Sequence, residues 1–119
     1  MGYVYVKALL GEPGRTKTRE VRFLADTGAG YMVLRPELAR ELGLIPVGKT
    51  KALVADNRVV EADVAPAYVK VLDREAVVLA AIMDSPESLL GAFTLEVLGL
   101  SVDPSTGKVE PTRAFTMML

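Results

Sequence analysis

The sequence predicts a mostly β fold, a small closed β-barrel with one or two short helices. Three observations carry that prediction. Apolar and polar residues alternate with the period of two that marks a half-buried strand. Clusters of Gly, Pro, Asp and Asn punctuate the chain at short intervals, so three or four short hairpins follow one another. Only two stretches, 36–43 and 92–98, carry helix signals. A chain of 119 residues has material for one hydrophobic core, so residues 1–119 read as a single domain.

The elements follow in order. Val4, Val6 and Ala8 alternate with Tyr3, Tyr5 and Lys7 as a first strand. Gly11-Glu12-Pro13-Gly14 is a turn, and residues 16–24 return as the second strand of a hairpin. Arg15, Lys17, Arg19 and Arg22 make that hairpin basic, with Glu20 interleaved, which reads as a solvated strand face rather than a binding patch. Tyr31-Met32-Val33-Leu34 is a further strand. Residues 36–43 open on Pro36 and close on Gly43, the residue types that suit the start and end of a short helix. Residues 50–55 and 58–64 flank Asp56-Asn57 as a second hairpin, because both flanked residues tolerate left-handed backbone. Residues 68–72 and 76–83 flank Asp73-Arg74-Glu75 as a third. The run 76–83 lacks alternation, so it is expected to be buried on both faces. Residues 92–98 form the second helix, closed by Gly99. The segments 100–103 and 108–110 flank the turn Pro104-Ser105-Thr106-Gly107. Strand, loop, helix and Leu-Gly-Leu occur twice, ending at Leu42-Gly43-Leu44 and Leu98-Gly99-Leu100, which hints at two similar halves.

Composition removes several chemistries. There is no Cys and no His. That excludes disulfides, thiolate nucleophiles, Ser-His-Asp catalysis, His- or Cys-ligated zinc and an imidazole switch. Acid–base chemistry must come from carboxylates, Lys or Tyr. Fourteen basic residues against fifteen acidic ones give a net charge of −1, so no nucleic-acid partner is expected. Met1 to Leu10 holds only a short apolar stretch interrupted by Lys7, unlike a secretory leader, and Val6 breaks a myristoylation motif. The longest apolar run, 76–83, is far short of the ~20 residues that span a bilayer. The expectation is a cytoplasmic protein with no membrane partner. Glu61-x-Asp63 and Asp73-x-Glu75 have the residue types for magnesium but read as solvated strand ends; no metal or cofactor is expected.

One tripeptide carries chemistry. Phe23-Leu24-Ala25-Asp26-Thr27-Gly28-Ala29-Gly30 places a carboxylate directly after an apolar strand, in a Gly-rich loop that runs into the next strand. Thr27 adds a hydroxyl, and Gly28 and Gly30 let another chain approach the backbone closely. The plainer reading is a turn in which Asp26 bonds its own backbone.

This context resembles the retropepsin-like aspartic proteases, the single-domain, homodimeric relatives of pepsin. Their active-site loop is apolar-apolar-x-Asp-Thr-Gly-Ala, matched by residues 23–29. Their second landmark, an apolar pair plus Gly opening the C-terminal helix, is matched by Leu89-Leu90-Gly91. The resemblance covers roughly residues 3–103 and implies that the 50–64 hairpin is a flap over the site. It implies Asp26, Thr27 and Gly28 as catalytic residues, and Ala29, Gly30, Val54, Ala55, Asp56, Asn57, Leu90 and Gly91 as substrate-binding residues. It further implies an aspartic endopeptidase that hydrolyses extended peptides or unfolded proteins. The mechanism needs two carboxylates sharing one proton, the pepsin arrangement that the general chemistry of such pairs describes. This chain has one Asp-Thr-Gly, so the resemblance implies a homodimer with two copies of Asp26 on the two-fold axis. Gly30 and Ala92 stand where many viral members have Asp and Arg, the flap tip is not Gly-rich, and the chain continues beyond about residue 104 as a C-terminal extension. Two other readings stay open: a dimeric binding or scaffold module of the same fold with little protease activity, and an unrelated small β-barrel that binds a ligand or oligonucleotide.

Overall fold

A computed structural model of the protein describes residues 3–53 and 56–112. Strands β1 (Tyr5–Gly11) and β2 (Thr18–Ala25) form the first hairpin, with Tyr5 opposite Leu24 and Gly11 opposite Thr18. Glu12 closes its turn by accepting the Gly14 and Lys17 backbone N–H groups at 3.0 and 2.9 Å. These donors, the Lys17 N–H foremost, hold the Glu12 carboxyl below its ordinary range. The basic side chains of this hairpin are largely engaged locally. Arg15 pairs with Glu75 at 3.2 Å, Arg19 with Glu41 at 2.6 Å, and the Arg22 guanidinium lies 3.7 Å from the Tyr5 ring centroid.

Strand β3 (Met32–Leu34) leads into helix α1 (Pro36–Leu42), with Pro36 in its first turn. Gly43 ends the helix in left-handed backbone at φ 69°, its N–H bonded to the Arg40 carbonyl. Strands β4 (Gly48–Leu53), β5 (Val59–Val71) and β6 (Arg74–Ile82) then form consecutive antiparallel pairs. The two-residue strand β7 (Leu89–Leu90) precedes helix α2 (Ala92–Leu98), which Gly99 ends at φ 66°. Strands β8 (Leu100–Asp103) and β9 (Lys108–Pro111) pair as a separate two-stranded sheet. The two Leu-Gly-Leu segments thus end two seven-residue helices in the same way, and the short strands that precede those helices pair with each other through Val33 and Leu89.

The main sheet has the order β1-β2-β7-β3-β6-β5-β4, with an additional pairing of β1 to β5. Two pairings, β2–β7 and β3–β6, are parallel. Phe23, Met32, Leu34, Leu90, Leu10, Val69 and Val71 fill the core, and Ala39, Leu42, Leu95 and Leu98 cover it from the helices. Burial of this apolar set supplies the main driving force for the fold.

Three expectations need correction. The second and third hairpins share one 13-residue strand, β5, which runs through Pro66. Pro lacks the N–H a central strand needs on both sides. It is tolerated because β5 pairs with β4 only over 59–64 and with β1 only over 68–70, which leaves Pro66 with β6 alone. The turn that follows is Leu72-Asp73, with Leu72 at φ 58° and Val71 opposite Arg74, rather than 73–75. Strand β6 is not buried on both faces: Val77 and Leu79 are 54% and 43% exposed, alternating with inward Ala76, Val78 and Ala80. An all-apolar run hides an ordinary one-sided strand when its outward positions are also Val and Leu.

Candidate active site

Sheet order positions the acidic loop. Strand β7 lies between β2 and β3 and runs parallel to β2, so the loop from β2 to β3 must cross the C-terminal end of β7. The crossing is held by backbone bonds. The Asp26 N–H donates to the Leu90 carbonyl at 2.9 Å, the Ala92 N–H to the Ala29 carbonyl at 2.7 Å, and the Phe93 N–H to the Gly30 carbonyl at 3.0 Å. Gly91 sits beneath this arch. A Cβ there would lie 2.3 to 2.7 Å from the carbonyl oxygens of Tyr31, Gly30 and Ala29, so only glycine fits. The two sequence landmarks, Asp26-Thr27-Gly28 and Leu89-Leu90-Gly91, are therefore two sides of one backbone contact.

Within the loop the Asp26 Oδ1 accepts the Gly28 N–H at 2.9 Å, and the Ala29 N–H donates to the Asp26 carbonyl. Asp26 is half-buried, while Thr27 and Gly28 are exposed at the tip. The local turn therefore orients the carboxylate without burying it. Asp26, Gly28, Ala29 and Gly30 line a cleft of about 790 Å³. Its other walls are Thr50, Lys51, Ala52 and Leu53 of β4, and the 83–87 segment before β7. Leu24, Val33, Ala81 and Leu89 add apolar surface.

The remaining expected site residues are spread around this cleft. Leu90 is fully buried in the core, and its neighbour Leu89 faces the cleft instead. The hairpin of β4 and β5 borders the cleft along 50–53, with Leu53 opposite Val59 and both strongly exposed. At its end Asp56 and Arg58 pair at 2.7 Å, and Asn57 takes left-handed backbone at φ 64°. Val54 and Ala55 lie outside the described residues. Lys49 at the base of the hairpin bonds Asp63 at 3.1 Å and lies 3.8 Å from Glu61; Asp63, then Glu61, raises the Lys49 pKa. The Glu61-x-Asp63 pair is thus occupied by a lysine. Glu75 of the other candidate pair accepts the Tyr68 hydroxyl at 2.7 Å and pairs with Arg15. Among the described residues no group of three or more acidic side chains is placed to hold a metal.

Residues 83–88 were not singled out by the sequence. Here the Glu87 carboxylate accepts the Tyr5 hydroxyl at 3.2 Å, which raises the Tyr5 pKa, and the Ser85 hydroxyl donates to the Glu87 carbonyl at 2.6 Å. The Asp84-Ser85-Pro86-Glu87-Ser88 turn composition between an apolar run and Leu89-Leu90 was the available signal. Tyr31 and Phe93 were also missed; both line the cleft, and their rings meet edge to face with centroids 6.2 Å apart. A second hollow of about 350 Å³, lined by Arg19, Arg22, Arg35, Glu37 and Glu41 among others, does not include Asp26.

Residues 12–94, well over half of the chain, match the family model described as aspartyl protease. The chain belongs to the aspartyl protease family. A search among curated proteins gave no match. Among solved structures, EIAV protease complexed with the inhibitor HBY-793 matches with a TM-score of 0.65 and 24% sequence identity, over 82% of this chain and 89% of that chain. The family member described here therefore has the retropepsin-like fold, mostly β with two short helices among the described residues. No helix among the described residues is long and apolar enough to cross a membrane.

Proposed function

We propose that this protein is an aspartic peptidase that acts as a homodimer and hydrolyses peptide bonds in extended peptides. The observation that carries the proposal is Asp26, held by backbone bonds over Gly91 and lining a cleft that strand β4 borders. One such carboxylate is half of an aspartic dyad. Two chains related by a two-fold axis, meeting at their exposed Thr27-Gly28 tips, would bring two Asp26 carboxylates together. The Thr27 hydroxyls at those tips would brace the partner loop in such a dimer.

The chemistry then follows. One carboxylate takes a proton from water as general base, and the water oxygen bonds to the scissile carbonyl carbon. The other, protonated, donates its proton to the carbonyl oxygen. Collapse of the tetrahedral species breaks the C–N bond: the leaving nitrogen takes the proton that the first carboxylate drew from water, and a hydroxyl of the tetrahedral carbon returns one to the second carboxylate, which restores the one-proton pair. The active pair carries one proton, so the rate falls on both sides of a pH optimum. The substrate lies extended beneath the β4–β5 hairpin and is bonded through its backbone. The β1–β5 pairing supports reading the main sheet as a small closed barrel. The chain reads as one domain, with β9 belonging to the extension that begins near residue 104.

The Asp56–Arg58 pair at the hairpin tip favours a second reading, a dimeric binding module in which a less compliant roof holds peptides without cutting them. Cleavage of a peptide library by wild type and Asp26→Asn, with melting curves alongside, separates the two. The catalytic reading predicts at least the ~100-fold loss typical of removing an acid–base group, with the melting temperature kept. Equal cutting by both proteins overturns it, and peptide binding without cutting by wild type selects the binding module.

A further inference from the structure

Phe93 is a large aromatic side chain left 59% exposed, and it faces the cleft that holds Asp26. Ligand clefts are lined largely by apolar and aromatic side chains, so an exposed aromatic beside further apolar lining residues is candidate binding surface. Its position is fixed from three sides. The Phe93 N–H donates to the Gly30 carbonyl at 3.0 Å, which ties the start of α2 to the Asp26 loop. The Tyr31 ring meets it edge to face at 85°. Gly30 leaves the space the ring occupies, since a Cβ there would come 3.0 Å from Phe93 Cε2. Val33, Met83 and Leu89 line the same cleft and extend the apolar surface. A preformed aromatic wall of this kind costs little ordering on binding, and it rewards a side chain that covers it.

We infer that Tyr31 and Phe93 form an aromatic shelf that determines specificity by seating an aromatic or large aliphatic side chain of the bound peptide. The inference rests on the reading of this cleft as a peptide site. Gly30 is the positioning residue of the shelf: it acts by letting the Phe93 ring lie against the loop.

The test compares paired peptides that differ at one position, Phe or Leu against Ser, scanned along the sequence. Wild type, Phe93→Ala, Tyr31→Ala, Tyr31→Phe and Gly30→Ala are assayed by the ratio of kcat/KM within each pair. The same peptides are titrated onto Asp26→Asn, with and without Phe93→Ala, so that binding is read without turnover. At one peptide position the wild-type protein should favour Phe or Leu. Phe93→Ala and Tyr31→Ala should each reduce that preference by about ten-fold, the discrimination a single apolar contact supplies. Tyr31→Phe should keep the preference, and Gly30→Ala should change it while melting behaviour stays near wild type. A protein that cuts nothing but binds with this preference, lost on Phe93→Ala, refutes the peptidase reading and upholds the shelf. Cleavage or binding with a preference unchanged in Phe93→Ala and Tyr31→Ala overturns the shelf and leaves the peptidase reading standing. Failure of any peptide to bind overturns the shelf as well.

Discussion

At the scale of single residues, Gly91 tests the account of how the acidic loop is held. Three backbone carbonyl oxygens crowd the position a Cβ would take, and none is the end of a flexible side chain. Gly91→Ala must push the Asp26 loop away from α2 or tilt the helix. Overpacking at such a site costs about 1–3 kcal/mol, and backbone neighbours put this one at the upper end. Urea unfolding should show that loss, together with loss of any peptide cleavage. Wild-type stability in Gly91→Ala would mean that the arch over β7 is looser than described. This scale was the most legible in the sequence. Asp26-Thr27-Gly28 and Gly91 stand out because a carboxylate after an apolar strand and a glycine before a helix each have few physical uses. Tyr31 and Phe93 did not stand out: an aromatic beside a loop has many ordinary uses, and only its exposure on a concave wall distinguishes it.

At the scale of elements, the proposed function gives the hairpin of β4 and β5 the role of a lid. Leu53 and Val59 are 69% and 63% exposed, and its only described ion pairs lie on its surface. Elements with few buried contacts open at low free-energy cost and close on a ligand that covers them. Amide exchange at Lys51–Leu53 and Val59–Glu61 should slow when a peptide mimic of the tetrahedral species binds, while exchange at the buried Val69 and Val71 stays unchanged. Unaltered exchange in the hairpin with the mimic bound would remove its role as a lid. Both helices and the four hairpins were legible, because Gly43, Gly99, Asn57 and the 104–107 turn stop or reverse the chain by local backbone preference. The unbroken β5 was not, since Pro66 reads as a strand breaker until the gap between β4 and β1 is known. Nor were the parallel pairings β2–β7 and β3–β6, which depend on contacts between residues far apart in sequence. Those two pairings, more than any local signal, carry the Asp26 loop over Gly91.

At the scale of the whole molecule, a chain with one Asp-Thr-Gly supplies one carboxylate to a reaction that uses two. The proposed enzyme therefore exists only as a dimer, and each chain depends on its partner's Asp26. Mixing subunits measures this directly. Wild-type protein is combined with a three-fold excess of Asp26→Asn, the chains are allowed to exchange, and peptide cleavage is compared with the same amount of wild type alone. Random pairing leaves only about a quarter of the wild-type chains with a wild-type partner, so activity should fall to about a quarter. Activity that stays at the wild-type level under full exchange would contradict that dependence, because each chain would then be cutting peptides with a single Asp26.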